Sequence, residues 1–132
     1  MSAQNVEIAL VAVDAWNRGD YEGWLAAWDE EAEFIPLRAQ MESTTYSGHE
    51  GLRQFLADVT EDWDEVRFEI ESTRDAGEQV VGLGRFQARG RASGVEIDVP
   101  LGVFTRVRLG KLVYTRLFSE PADALEAAGL SE

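Results

Sequence analysis

His49 is the only histidine in a chain of 132 residues that has no cysteine, and it stands in the run TYSGHEGLRQFL, residues 45–56. Imidazole ordinarily titrates near neutrality, so a neutral His49 facing a substrate could take a proton from it. The same position, just after Ser47-Gly48, also suits the first turn of a helix, with the ring hydrogen-bonded to a neighbouring loop carbonyl. Arg85 is the second catalytic candidate, flanked by Gly84 and Phe86 in an extended run where Val81, Leu83, Arg85 and Gln87 share a face. If that face walls a cavity, Arg85 is a permanent cation suited to a carboxylate or enolate oxygen. Otherwise it belongs to a dimer interface or pairs with a carboxylate such as Glu33, which alternation sets opposite Phe34 and toward solvent. Tyr46 and Tyr114 add hydroxyl donors that can equally be packing groups with a polar tip.

Composition narrows what these groups can do. The absence of cysteine removes thiol catalysis, disulfides and thiolate zinc sites, and one histidine cannot build a multi-histidine site, so no metal and no cofactor are expected. A net charge of −13, from 25 acidic against 12 basic residues, opposes attraction to nucleic acid and to an anionic membrane. No apolar run is long enough to span a bilayer, and the opening MSAQNVEIALVAVDAWNRGD lacks the features of a signal peptide. These features predict a cytoplasmic protein, and the near-exclusive use of arginine over lysine fits a bacterial source. The length fits one domain over residues 1–132, enough to bury roughly two-thirds of the unfolded surface around one core.

The elements that must position the candidates follow from periodicity. Val6, Ala9, Leu10, Val13, Trp16 and Asn17 recur at helical spacing, and Gly19-Asp20 supplies a stop and a new N-cap. A second helix, YEGWLAAWDEE, sets Trp24 and Trp28 one turn apart, and AEFIPL reads as a strand ended by Pro36. Residues 38–47 read as a loop. Leu52, Phe55, Leu56, Val59 and Trp63 then mark a third amphipathic helix from His49 to Trp63. Four extended runs follow, VRFEIES, EQVVGLGRFQARGR, VEIDVPLGVFTRVRL and KLVYTRLFS, joined by turn residues as an antiparallel meander. The tail SEPADALEAAGLSE, with Pro121 in its first turn, predicts a short helix. The fold class is α+β: three N-terminal helices on one face of a curved antiparallel sheet, with a short C-terminal helix.

The segments AWNRGDYEGWLAAWDEEAEF, TYSGHEGLRQFL, ARGRASGVEIDV and RLGKLVYTRLFSEPADALEAAGL, in this order, resemble the nuclear transport factor 2-like superfamily and its SnoaL-like group. The resemblance spans nearly the whole chain. It implies a cone whose helices close over a bent sheet around a deep apolar cavity, and a homodimer formed through the outer face of the sheet. It also implies a small apolar or aromatic ligand, with Trp16, Trp28, Phe34, Phe55, Trp63, Leu83, Arg85, Gly102 and Phe104 as its contacts. The superfamily includes isomerases, cyclases, hydrolases and non-catalytic binders, so fold alone does not assign activity.

The carboxylates those enzymes use find no counterpart. On these motifs the base of a ketosteroid isomerase falls near Ile35-Pro36, its helix-one tyrosine near Val13 to Trp16, and its acidic oxyanion donor near Gly102. The last strand, KLVYTRLFS, lacks the acid/base aspartate of the SnoaL cyclases. Arg85 with Asp98 echoes the relay of the epoxide hydrolases of this fold only if both point inward. Three readings follow: a small-molecule binder of unassigned activity, a cofactor-independent isomerase, cyclase or hydrolase using His49, Arg85 or a tyrosine, and a structural or regulatory dimer. A cavity of several hundred Å³ with at least two convergent polar groups favours the first two, and a filled cone favours the third.

Overall fold

Beyond residue 62 the period-two alternation resolves into four long strands whose two faces bury different partners. The computed structural model describes residues 2–37 and 45–130. In chain order these form α1 (Ser2–Asn17), α2 (Tyr21–Ala26), β1 (Trp28–Ile35), β2 (Tyr46–Ser47), α3 (Gly48–Asp62), β3 (Trp63–Ala76), β4 (Gln79–Gly90), β5 (Glu96–Arg108), β6 (Lys111–Phe118) and α4 (Pro121–Ala127). The sheet order is β2-β1-β6-β5-β4-β3. Strands β3 to β6 make the expected antiparallel meander, and β1 joins β6 in parallel. No helix of the described residues is long and apolar enough to cross a membrane.

One face of the sheet carries Phe68, Phe86, Leu101, Val103 and Leu117 against Trp16, Trp24, Leu52 and Phe55 of the three N-terminal helices, and this is the main core. The opposite face carries Val81, Phe104 and Phe118 beneath Ala124 and Leu125 of α4, a smaller second core. The β3–β4 register slips between Ile70 and Ser72. There β3 crosses so close to Gly84 that a Cβ on that residue would collide with the Glu69 carbonyl oxygen and lie 3.0 Å from Ile70 Cα. A bulge opposite a glycine lets a sheet curl around a helix layer.

Helix α1 is fastened along the free edge of β3. Trp16 Nε1 donates to the Val66 carbonyl at 2.8 Å. The Asn17 amide donates to the Phe68 carbonyl at 2.9 Å and accepts from the Phe68 N–H at 3.0 Å. At the other end of the helix, Asn5 donates to the Gly77 carbonyl at 3.0 Å.

Two elements differ from the reading of the sequence. The second helix, capped by the Asp20 side chain accepting from Gly23 N–H, stops at Ala26, and Trp28 begins a strand. The reason is tertiary: the Leu112 N–H donates to the Ala27 carbonyl at 2.9 Å, and Trp28 pairs with Leu112 of β6. Of the expected loop, Tyr46 and Ser47 instead pair with Phe34 and Glu33 of β1, and residues 38–44 lie outside the described residues.

The close approach at Gly84 generates a stability contrast. Gly84→Ala should lower the unfolding free energy in urea by about 1–3 kcal/mol, because backbone must move. In Gly82→Ala the new Cβ meets side-chain atoms alone, Ile70 Cδ1 at 3.4 Å, Ile70 Cγ2 at 3.5 Å and Val103 Cβ at 3.7 Å, and the change should stay within about 1 kcal/mol.

Candidate functional site

Between α3 and the inner face of β3, β4 and β5 the helix layer does not reach the sheet, leaving a cavity of about 430 Å³. Helix α3 faces it with Phe55, Asp58, Val59 and Asp62, one stripe at helical spacing. Across the gap stand Trp63, Val66 and Phe68 of β3, Phe86 of β4, and Ile97 and Val99 of β5, with Pro36, Leu37 and Tyr46 along the remaining rim. A deeper chamber of about 70 Å³ lies among Trp16, Trp24, Trp28, Phe34, Thr105 and Thr115, and Phe55, Phe68 and Leu117 border both spaces. Phe55 is wedged edge-on, its ring centroid 4.7 Å from that of Phe34 and 5.4 Å from that of Tyr46.

Polar groups of β2 and α3 converge at the outer end. The Tyr46 hydroxyl donates to Asp58 Oδ2 at 3.0 Å, and Gln54 donates to the other Asp58 oxygen at 2.8 Å. Asp62 lies one turn further along α3. No lysine, arginine or histidine is among the described residues that line the cavity. In the deep chamber the Thr105 and Thr115 hydroxyls are 2.6 Å apart, and Thr105 donates to the Tyr114 carbonyl, so their polarity is satisfied internally. Chemically, the outer end can accept hydrogen bonds or a proton, or hold a cation. Among the described residues no cluster of histidine, cysteine, aspartate and glutamate could hold a metal ion.

The two catalytic candidates lie elsewhere. His49 Nε2 is 2.8 Å from the Trp28 carbonyl; a carbonyl only accepts, so that nitrogen carries the hydrogen, and the ring pins the start of α3 to the start of β1. Arg85 points to the outer face, where Nε donates to Asp98 Oδ1 at 2.5 Å and the guanidinium also reaches the Asp98 carbonyl at 3.2 Å. The hydrogen bond from Arg85 is the main reason the Asp98 carboxyl is held below the usual aspartate range; partial desolvation opposes it and a hydrogen bond from Gln87 assists. The pair thus exists, but both members face away from the cavity.

The expected ligand contacts divide the same way. Trp63 lines the main cavity, Phe55 lines both spaces, and Trp16, Trp28 and Phe34 line the deep chamber. Leu83, Gly102 and Phe104 are on the outer face with Arg85. Leu83 and Phe104 belong to the second core, and Gly102 lies under α4, where a Cβ would come within 2.8 Å of Ala124 and 2.9 Å of Pro121. Glu33 is exposed, and Tyr114 packs on Phe104 beneath the Arg106 guanidinium. The sequence reading did not single out Asp58 and Asp62; the available signal was their spacing of three and seven residues from Phe55, on the stripe that faces the sheet.

A profile of the SnoaL-like domain matches residues 10–115, and the chain belongs to that family. No curated protein matches the sequence. Among solved structures, a nuclear transport factor 2-like protein of unknown function from Burkholderia pseudomallei shares 20% identity at a TM-score of 0.79, over 93% of this chain and 95% of that one. TerC, co-crystallised with polyporic acid, also shares 20% identity at a TM-score of 0.79, over 96% of this chain and 98% of the other. A protein of ketosteroid isomerase-like fold from Catenulispora acidiphila, in complex with trimethylamine, shares 16% identity at a TM-score of 0.76, over 94% of this chain and 93% of that one. At these identities the likeness establishes the shared fold.

Two outcomes separate scaffold from site. His49→Ala should cost about 1 kcal/mol of stability, the worth of one hydrogen bond, and leave binding of a small aromatic probe unchanged by calorimetry. For the outer ion pair, Arg85→Gln should move the Asp98 carboxyl midpoint up toward that of an ordinary aspartate in an NMR titration. Because the folded value is the depressed one, the stability this pair adds is present above the unfolded midpoint and is lost as pH falls through the folded one.

Proposed function

We propose that this SnoaL-like protein binds a small apolar or aromatic molecule in the cavity between α3 and the sheet. The observation that carries the reading is the cavity itself: about 430 Å³, within the range of small-molecule sites, mostly apolar, and with a few polar groups gathered at one end. Aromatic walls from Phe68 and Phe86, whose centroids are 5.6 Å apart, offer edges and faces to a planar ligand. The co-crystals of TerC with polyporic acid and of the Catenulispora protein with trimethylamine support small-molecule binding on this fold. The protomer is proposed to act as a homodimer through the part of the outer sheet face that α4 leaves uncovered.

A second reading, acid/base catalysis without a cofactor, is favoured by one observation. Tyr46 and Asp58 are hydrogen-bonded to each other at the cavity rim, so a bound substrate would meet a carboxylate base and a phenol together. In this reading they replace the carboxylates that are missing near Ile35-Pro36 and on the last strand.

Calorimetry with a neutral aromatic alcohol, 4-phenylbutan-1-ol, tests the binding proposal. Saturable binding at one site per chain is expected. Val99 lies at the rim and is 36% exposed, so Val99→Trp should fill the mouth, keep the native circular dichroism spectrum and weaken binding about tenfold or more. Binding that is absent, or that is indifferent to Val99→Trp, would refute the cavity as the site.

A further inference from the structure

We infer that the ligand carries a positively charged nitrogen on an apolar or aromatic body, an amine or ammonium group held at the cavity mouth by Asp58 and Asp62. This rests on the cavity being the binding site proposed above. On a helix that packs over a sheet, the stripe facing inward is normally apolar. Helix α3 keeps Phe55 and Val59 on that stripe but interleaves Asp58 and Asp62, so the two carboxylates border the same opening.

Their charge is left standing. Both partners of Asp58, the Tyr46 hydroxyl and the Gln54 amide, are neutral donors. Among the described residues no ion pair reaches Asp58 or Asp62. The cation near the end of α3, Arg91, is committed elsewhere: its side chain donates to the Thr60 and Trp63 carbonyls and pairs with Asp64 at 2.9 Å. The mouth therefore presents two negative groups beside the rings of Tyr46 and Trp63, an arrangement that favours a cation through charge and through the ring faces. The net charge of −13 adds a field of the same sign. A ligand carboxylate placed there would meet the like charge of Asp58 and Asp62 and no cationic side chain among the described lining residues.

Three isosteric probes decide the matter by calorimetry at low salt: 4-phenylbutylamine, 4-phenylbutan-1-ol and 4-phenylbutanoic acid. The amine should bind about tenfold more tightly than the alcohol, and the acid most weakly. The double variant Asp58→Asn with Asp62→Asn should erase the amine's advantage over the alcohol. Glu61→Gln, an exposed acid of the same helix outside the cavity lining, should retain it, which separates the local carboxylates from overall charge. The comparison of the three probes on the unaltered protein stands even if the double variant folds poorly. Alcohol binding without a preference for the amine, or a preference that survives the double variant, overturns this inference and leaves the cavity reading intact. Binding of none of the three overturns both.

Discussion

The structure depends on how one exposed strand edge is completed. Strand β3 lies at the end of the sheet, and its outward N–H and C=O groups have no neighbouring strand. An open edge of this kind invites pairing with another chain. Here Asn17, whose amide offers one donor and one acceptor, bonds both polar groups of Phe68, and Trp16 covers the next carbonyl, that of Val66. Two consecutive side chains at the end of α1 thus take the place of a strand. Fastening α1 there dictates which face of β3 is inward, and so which way the whole meander curls.

From that constraint the cavity follows. With α1 along β3 and the indole of Trp16 packed among Trp24, Phe55 and Phe68, the densest packing is gathered toward α1 and α2. Helix α3 is anchored at its start, where His49 holds the Trp28 carbonyl and Phe55 meets Phe34. Its second half, with Val59 and Asp62, faces Trp63, Val66 and Phe68 of β3 across the cavity. The space between them is walled mostly by rings and aliphatic groups. The outer face is built for a different purpose: α4 seals one part and ion pairs such as Arg85 with Asp98 cover another.

Strong local periodicity made much of this legible in the sequence. The stripe of α3, the stop at Gly19 and the alternation of the four long strands are local signals, and the elements they mark are present. Trp28 was not legible as a strand residue, because what ends the second helix is pairing with Leu112, 84 positions away in the chain. Nor was the inward face of β4. Its cavity side carries Gly82 and Gly84, so the apolar alternation pointed to Val81 and Leu83, which pack under or beside α4 instead. Gly102 and Phe104 pair beside the same residues and went with them. Asp58 and Asp62 read as ordinary solvated acids of an amphipathic helix; that they border a cavity depends on the bend in the sheet, which no local pattern records.

On the binding proposal, a ligand enters between α3 and the sheet and leaves the outer face untouched. Amide and side-chain NMR shift mapping during titration with 4-phenylbutan-1-ol tests it most directly. The shifted resonances should cluster on Phe55, Val59, Trp63, Val66, Phe86 and Val99. Shifts centred on Leu83, Arg85 and Phe104, or no localised shifts at saturating probe, would contradict it.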